Sequence, residues 1–165
     1  MKPEFIDGWS THQFPLITAA MNTEGPIVEF GCGNYSTPLL HAIAKKQQRE
    51  FTVYSSDGEW AKSFMDLADS ITVIRNEQWK GRLFEHHAGL LFVDSEQSVK
   101  DREPQIRRYA DQVEVIVIHD AQVLQRGKTL QPLMEEFKYS YHWQRLSPKA
   151  TTAVFSQHID VSQWF

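Results

Sequence analysis

The sequence contains a single cysteine, Cys32, and this excludes an internal disulfide. A lone cysteine fits a reducing compartment, where disulfides are rare. The chain has 165 residues, and a chain of that size buries roughly 68–70% of its unfolded surface. We therefore expect a hydrophobic core that needs neither disulfides nor a structural metal.

The sequence also lacks long apolar runs and an excess of positive charge. No apolar run approaches the roughly 20 residues that span a membrane, and the N-terminal MKPEFIDGWST carries no apolar core of a secretion signal. The formal net charge is −4, which argues against a nucleic-acid-binding surface. Arg102, Arg107 and Arg108 are interpreted as the solvated face of a helix. We expect a cytoplasmic protein that binds neither membrane nor nucleic acid.

No low-complexity segment, internal repeat or Gly/Ser-rich linker divides the chain, so residues 1–165 are expected to form one domain. Short apolar runs alternate with segments of helical periodicity. The predicted helices cover 11–22, 36–46, 58–68, 98–112 and 129–138. The predicted strands cover 27–30, 51–56, 71–74, 89–94, 113–120, 139–146 and 151–157.

The order of these segments predicts the fold class. Five strands separated by helices, most of them continuous apolar runs, indicate a parallel sheet covered on both faces. The last two strands are joined by only four or five residues, too few for a parallel return, so they form an antiparallel hairpin. The expected fold is α/β, a doubly wound, mostly parallel seven-stranded sheet with a C-terminal antiparallel hairpin.

The turn after the first predicted strand, in the stretch IVEFGCGNYSTPLL, indicates where a ligand could bind. Open parallel sheets bind ligands beyond the carboxyl ends of their strands, where the strand order reverses. Gly31 and Gly33 would let a ligand approach the backbone, and Glu29 could accept hydrogen bonds from an amino or hydroxyl group. A tight strand-to-helix connection explains the same residues. The missing third glycine disfavours a pyrophosphate site and a dinucleotide-dependent oxidoreductase.

Several motifs together resemble one family. IVEFGCGNYSTPLL resembles the first motif of class I S-adenosylmethionine-dependent methyltransferases, in the form E-x-G-x-G-x-x-S-T. GLLFVDSEQS and VIVIHDAQ resemble the fourth- and fifth-strand ends of one branch of that family, and STHQFPLI resembles the short helix before its first strand. The resemblance covers nearly the whole chain and implies a class I methyltransferase-like Rossmann fold.

The resemblance implies S-adenosylmethionine as the cofactor and methyl transfer to a small-molecule or sugar-like acceptor. Asp94 would lie beside the transferred methyl group, with His119 and Asp120 on the substrate side. These three are the candidates for deprotonating the acceptor, although His119 could equally be satisfied by the loop backbone. Glu29, Gly31 and Gly33 would line the methionine moiety, and Cys32 is a further cofactor-binding candidate. The cofactor side of the turn would be shaped by Asn34, Tyr35, Ser36 and Thr37.

The sequence departs from the family pattern where the cofactor's nucleoside would bind. Ser55 stands at the usual position of the acid that holds both ribose hydroxyls, and Asp57 could replace it only if the loop curls back. Losing that contact could cost about 1–3 kcal/mol of binding. These departures favour an alternative, a non-catalytic relative that binds a nucleotide or a partner. The positional candidates for adenine are Asn76, Glu77, Gln78 and Trp79, of which Trp79 could stack or lie in the core.

No metal site is expected from the sequence. Asp94 and Asp120 end strands at which a catechol-methylating branch holds a divalent ion, but Ala121 replaces its asparagine ligand. Two carboxylates alone make a poor oxygen cage for Mg²⁺. Cys32 precedes a helix, which could lower its pKa, but it is interpreted as a filler of the turn. The substrate lid would have to come from 1–14, 76–88 and 121–130, leaving the cleft open or completed by a second subunit.

Overall fold

The computed structural model describes residues 10–75, 77–95, 99–145 and 150–165. The α-helices are α1 (Gln13–Met21), α2 (Thr37–Gln47), α3 (Gly58–Ala61), α4 (Val99–Tyr109), α5 (Ala121–Arg126) and α6 (Leu130–Glu136). The strands are β1 (Ile27–Phe30), β2 (Phe51–Ser55), β3 (Ser70–Val73), β4 (Ala88–Val93), β5 (Val113–His119), β6 (Tyr139–Trp143) and β7 (Thr152–Ser156). Short 3-10 helices cover Lys62–Leu67, Gln78–Lys80 and Val161–Trp164.

All seven strands belong to one sheet in the order β3-β2-β1-β4-β5-β7-β6. Strands β1 to β5 run parallel, and β7 is antiparallel to both β5 and β6. The predicted mostly parallel sheet with a C-terminal hairpin is therefore confirmed. The strand order reverses between β1 and β4, whose last residues Phe30 and Val93 lie side by side.

The sheet is buried on both faces. Alternate residues of its central strands point to opposite sides, and a hydrophobic cluster covers each side. Val28 and Phe30 of β1 belong to one core cluster, together with Ile106 of α4 and Leu133 of α6. Ile27 belongs to the other cluster, with residues of α1 and α2. Fully burying one such side chain contributes about 1.5–3 kcal/mol, so the two clusters hold the helices on their faces. Among the described helices, none has the length and apolarity needed to cross a bilayer.

The structure corrects the sequence-based predictions for one helix and for one loop. The predicted helix over 58–68 is α-helical only in α3 and continues as the 3-10 helix Lys62–Leu67. The segment 121–130, expected to help form a lid, instead begins with α5, whose Ala121 and Leu124 are buried. Six residues are too few to show a helical period in the sequence, so this helix was missed.

Gly31 allows the backbones after β1 and β4 to approach each other. Its φ is +90°, and a Cβ atom there would lie 2.6 Å from the Asp94 carbonyl oxygen and 2.8 Å from Ser95 Cα. The Gly31 N–H donates to the Tyr54 carbonyl at 2.8 Å, and the Asp94 N–H donates to the Phe30 carbonyl at 2.8 Å. Only glycine fits this crossing, which places Asp94 beside the β1 turn.

Gly33 meets no such constraint. Among the described residues, a Cβ atom at Gly33 would contact only Ser36 Oγ, at an ordinary 3.5 Å. The protein's own packing therefore leaves room for a side chain at Gly33.

We expect Gly31→Ala and Gly33→Ala to differ sharply in stability. Gly31→Ala should lower the free energy of unfolding by more than about 2 kcal/mol, because backbone strain adds to the clash with Asp94. Gly33→Ala should change it by less than about 1 kcal/mol. Equilibrium urea unfolding of both variants checks this, and equal losses would contradict the assignment.

Candidate functional site

A cavity of about 620 Å³ opens at the carboxyl ends of the central strands, within the usual range for small-molecule sites. It lies where the strand order reverses, as expected for an open parallel sheet. The described residues that line it are His12, Cys32, Gly33, Asn34, Tyr35, Ser36, Trp60, Asp94, Arg102 and Asp120. The β1 turn and the ends of β4 and β5 therefore face one space.

Glu29 holds the β1 turn from beneath. It has no exposed surface, and its two carboxyl oxygens accept hydrogen bonds from Ser36 Oγ at 2.5 Å and Thr37 Oγ1 at 2.8 Å. The Gly33 N–H in turn donates to Thr37 Oγ1 at 2.9 Å. Within the described lining, Gly33 and Ser36 are the members of this hydrogen-bonded group that face the cavity. Glu29, Gly31 and Thr37 thus shape the turn from behind.

Burial raises the pKa of Glu29 to about 8. The hydrogen bonds from Ser36 and Thr37 act in the opposite direction, and the charge of Asp94 raises this pKa further. Removing a carboxylate from water is costly when no cation compensates it, so the neutral acid is favoured. Near neutral pH this carboxyl is therefore mainly protonated, and the turn rests on a neutral hydrogen-bonded group.

Cys32 is held by the end of β2 and by α3. Its Sγ lies 3.5 Å from Ser55 Oγ, and its carbonyl accepts a hydrogen bond from Trp60 Nε1 at 2.9 Å. Burial raises the pKa of the Cys32 thiol, outweighing the hydrogen bond to Ser55. The lowered pKa considered from the sequence is therefore wrong.

Ser55 and Asp57, the two candidates for the cofactor's ribose, are engaged within their own loop. Ser55 is buried, and its Oγ donates to the Asp57 carbonyl at 3.2 Å. Asp57 Oδ1 accepts the N–H groups of Glu59 and Trp60, both at 2.9 Å, and so caps α3. Neither belongs to the described lining of the cavity. The structure therefore uses Asp57 as a helix cap.

The tryptophan beside the cavity is Trp60. Of the two alternatives for Trp79, the structure shows the core: Trp79 is only 2% exposed and packs edge-to-face on Phe30, so it is removed from the candidates for the cofactor site. Trp60 is 41% exposed and lines the cavity, with its Nε1 tied to the Cys32 carbonyl. Asn76 lies outside the described residues. Gln78 accepts a hydrogen bond from the Arg75 N–H through its side chain, and Glu77 pairs with Lys80.

The three predicted catalytic residues come together at the ends of β4 and β5. His119 Nδ1 lies 3.2 Å from Asp94 Oδ1 and 3.7 Å from Asp120 Oδ2. His119 is buried, whereas Asp94 and Asp120 keep partly exposed side chains that line the cavity. Asp120 adopts a left-handed φ of +57°, an uncommon conformation for a residue other than glycine. Its Oδ1 accepts a hydrogen bond from Gln122 at 2.8 Å.

Arg102 corrects the interpretation of the arginine cluster as a solvated face. It is only 8% exposed, and its guanidinium donates to the carbonyls of Ser95, at 2.6 and 3.1 Å, and His119, at 2.8 Å. Arg102 Nη2 also lies 3.7 Å from Asp94 Oδ1. Carbonyls at strand ends need donors when they are buried, and Arg102 supplies them. Helical periodicity alone could not distinguish it from its neighbours.

The other two arginines also bond within the protein. Arg107 pairs with Glu103 and Glu136. Arg108 donates to the carbonyls of Trp79 and Lys80. The sequence cluster therefore ties α4 to three different parts of the chain.

His12 was not predicted as a site residue. It lies just before α1, is 2% exposed and meets the His119 ring edge-on at a centroid distance of 4.5 Å. Within the described part of the chain, neither ring nitrogen of His12 has a hydrogen-bond partner. Burial and the neighbouring His119 lower the pKa of His12 to about 4, so the ring is neutral near neutral pH. Only the folded arrangement brings it beside β4 and β5.

The Glu29 environment predicts a pH dependence of stability. Because the folded state raises the pKa from the ordinary 4.5 to about 8, it binds the proton more tightly than the unfolded state does. Stability should therefore fall as pH rises through this window, by at most about 1.4 kcal/mol per unit. Glu29→Gln should remove this contribution, so that its stability relative to the parent protein increases between pH 5 and pH 8.

Urea unfolding across this pH range tests the prediction. The matched control is Glu59→Gln, because the Glu59 side chain is 86% exposed. Parallel stability–pH curves for the parent protein and Glu29→Gln would contradict the assignment.

No protein-family model and no curated protein matches the sequence. Solved structures do match it, at sequence identities so low that the likeness shows the fold alone. The O-methyltransferase TomG from Streptomyces achromogenes, involved in tomaymycin synthesis and solved in complex with SAM, is 12% identical, with a TM-score of 0.64 over 94% of this chain and 83% of TomG.

Two further structures give the same result. A TehB-like SAM-dependent methyltransferase from Corynebacterium glutamicum is 16% identical, with a TM-score of 0.62 over 93% of this chain and 89% of its own. Cofactor-bound Rv0187 from MTB is 16% identical, with a TM-score of 0.65 over 96% and 84%. The likeness spans nearly the whole chain and includes the sheet that carries the cavity. The chain therefore has the fold of the class I SAM-dependent methyltransferases.

Proposed function

We propose that the protein binds S-adenosylmethionine in this cavity and transfers its methyl group to a small-molecule acceptor. The observation that carries the proposal is that the β1 turn, Trp60 and Asp94 line one cavity in a methyltransferase fold. When bound, this cofactor supplies a methyl group activated by the sulfonium. The protein's task is then to hold the acceptor in line with that methyl group and to exclude water.

The lining fits such a cofactor at the β1 turn. Gly33 faces the cavity although its own surroundings leave room for a side chain, so the open backbone serves a ligand that comes close. The exposed ring of Trp60 offers an apolar face beside it, and Tyr35 offers a second exposed aromatic side chain. We assign this half of the cavity to the cofactor.

The acceptor belongs on the side of Asp94, His119 and Asp120. Asp94 Oδ1 faces His119 Nδ1 at 3.2 Å, and this contact fixes the orientation of the imidazole. Asp94 and Asp120 both expose part of their carboxylates to the cavity. An acceptor hydroxyl or amino group bound there can give up its proton to this group of side chains, which leaves it a better nucleophile. The net charge of −4 fits a small molecule better than a nucleic acid.

The protein fits the nucleoside of the cofactor less well than it fits the methionine moiety. Ser55 Oγ donates to the Asp57 carbonyl, and Asp57 Oδ1 caps α3, so neither side chain serves as a strand-end acid that accepts hydrogen bonds from both ribose hydroxyls. We propose that the cofactor is consequently bound with modest affinity. We also propose that residues 1–165 form one methyltransferase-like domain in the cytoplasm, with the acceptor side open or completed by a second copy.

Isothermal titration with S-adenosylmethionine and S-adenosylhomocysteine tests the proposal, and we expect both to bind. Trp60→Ala should weaken binding by about tenfold, because a stacked ring face is lost. Trp60→Phe should retain most of the affinity, because it keeps a ring and loses only the hydrogen bond to Cys32. Trp164→Ala is the control, since Trp164 is not among the described lining residues.

Two outcomes would overturn the proposal. The absence of heat at millimolar concentrations of both ligands would leave a non-catalytic binding domain. Binding of NAD or NADP in place of S-adenosylmethionine would point to a dinucleotide enzyme.

A further inference from the structure

The base of the cavity brings together three side chains of the kinds that bind transition metals. One ligand atom from each of His12, Asp94 and His119 lies within 4.8 Å of the other two. They come from separate parts of the fold, the segment before α1 and the ends of β4 and β5. This is a different set from the two aspartates weighed in the sequence.

His12 is the observation that points to a ligand. Its ring is almost fully buried, yet within the described residues neither nitrogen has a hydrogen-bond partner. Buried polar groups in folded proteins are nearly always paired, so an unpaired buried imidazole needs an explanation. His12 nevertheless lines the cavity, which leaves a route for an ion to reach it.

We propose that His12, Asp94 and His119 bind a divalent transition-metal ion of the Zn²⁺, Fe²⁺ or Mn²⁺ type. Two imidazoles and one carboxylate suit such ions, whereas Mg²⁺ and Ca²⁺ prefer cages made of oxygen. Three protein ligands also leave coordination positions open to the cavity, as in catalytic metal sites. The ion would satisfy the unpaired His12 ring.

The surrounding contacts fit this assignment. Ligand atoms at about 2.0–2.2 Å from one tetrahedral ion lie roughly 3.3–3.6 Å apart, so the ligand atoms, now within 4.8 Å of one another, would have to approach by at most about 1.5 Å. Thr11 Oγ1 lies 3.4 Å from His119 Nε2, on the opposite side of the ring from Asp94. Arg102 Nη2 lies 3.7 Å from Asp94 Oδ1 and helps to fix that carboxylate. Such outer contacts orient metal ligands.

The ion's role in methyl transfer rests on the proposed function, whereas metal binding itself does not. A metal at this position would coordinate the oxygen of an acceptor hydroxyl and stabilise its deprotonated form, with the proton released to solvent. Asp94 and His119 would then act as ligands and not as proton acceptors. The preferred acceptor would be one that offers a hydroxyl to the ion.

The test uses the whole chain, freed of metal with EDTA and then dialysed. We expect one equivalent of Zn²⁺ to bind in a calorimetric titration, and Co²⁺ to give the visible absorption bands of a site with fewer than six ligands. His12→Ala should weaken Zn²⁺ binding at least tenfold and abolish the Co²⁺ bands. His158→Ala is the matched control, because His158 is exposed and its loss should change neither result.

Several results would overturn the proposal. They are the absence of a one-to-one Zn²⁺ complex in the parent protein, unchanged Zn²⁺ binding by His12→Ala, and binding of Mg²⁺ as tight as that of Zn²⁺. Circular dichroism verifies that each variant is folded, and His12→Gln replaces His12→Ala if the latter is not.

Separate experiments test the proposed cofactor site and the proposed metal site, so one proposal can fail while the other stands. Titration of S-adenosylhomocysteine in the presence of EDTA tests the cofactor site alone. Titration of Zn²⁺ without that ligand tests the metal site alone.

Discussion

The close approach of the backbones after β1 and β4 is the constraint on which the candidate site depends. Gly31 has no side chain and a positive φ, and this allows the chain to pass directly against Asp94 and Ser95. The same crossing places the Asp94 carboxylate beside the β1 turn, at the reversal of strand order. A side chain at Gly31 would push the two loops apart and separate the turn from the acidic group. The position of the cavity therefore depends on the close backbone packing at Gly31.

The two walls of the cavity differ in how they satisfy buried polar groups. Beneath the β1 turn, the favoured state of Glu29 is the neutral acid, held by Ser36 and Thr37. Beneath β4 and β5, the buried guanidinium of Arg102 donates to two backbone carbonyls and lies near Asp94. Buried charge is costly unless it is paired and hydrogen-bonded, and each wall meets this requirement in its own way. Charge is thus concentrated on the side assigned to the acceptor.

The sequence predicted the features that depend on local pattern. Apolar runs and loop lengths indicated the sheet and its terminal hairpin, and the family resemblance implied that Asp94, His119 and Asp120 lie at one site. The errors concern residues whose role depends on distant partners. The sequence pattern did not distinguish Trp60 from Trp79. Only the packing leaves Trp60 exposed and makes Trp79 part of the core. Likewise, His12 becomes a site residue only because the fold brings it against His119, at the end of a strand far away in the chain.

We propose that the β1 turn and the acids after β4 and β5 enclose one site for a sulfonium nucleoside and its acceptor. A crystal structure of the protein soaked with S-adenosylhomocysteine measures this most directly. We expect density for the ligand against the Gly33 backbone, with its sulfur directed toward Asp94 and its nucleoside beside Trp60. Density for the ligand anywhere else on the molecule, or an empty cavity at saturating concentration, would contradict it.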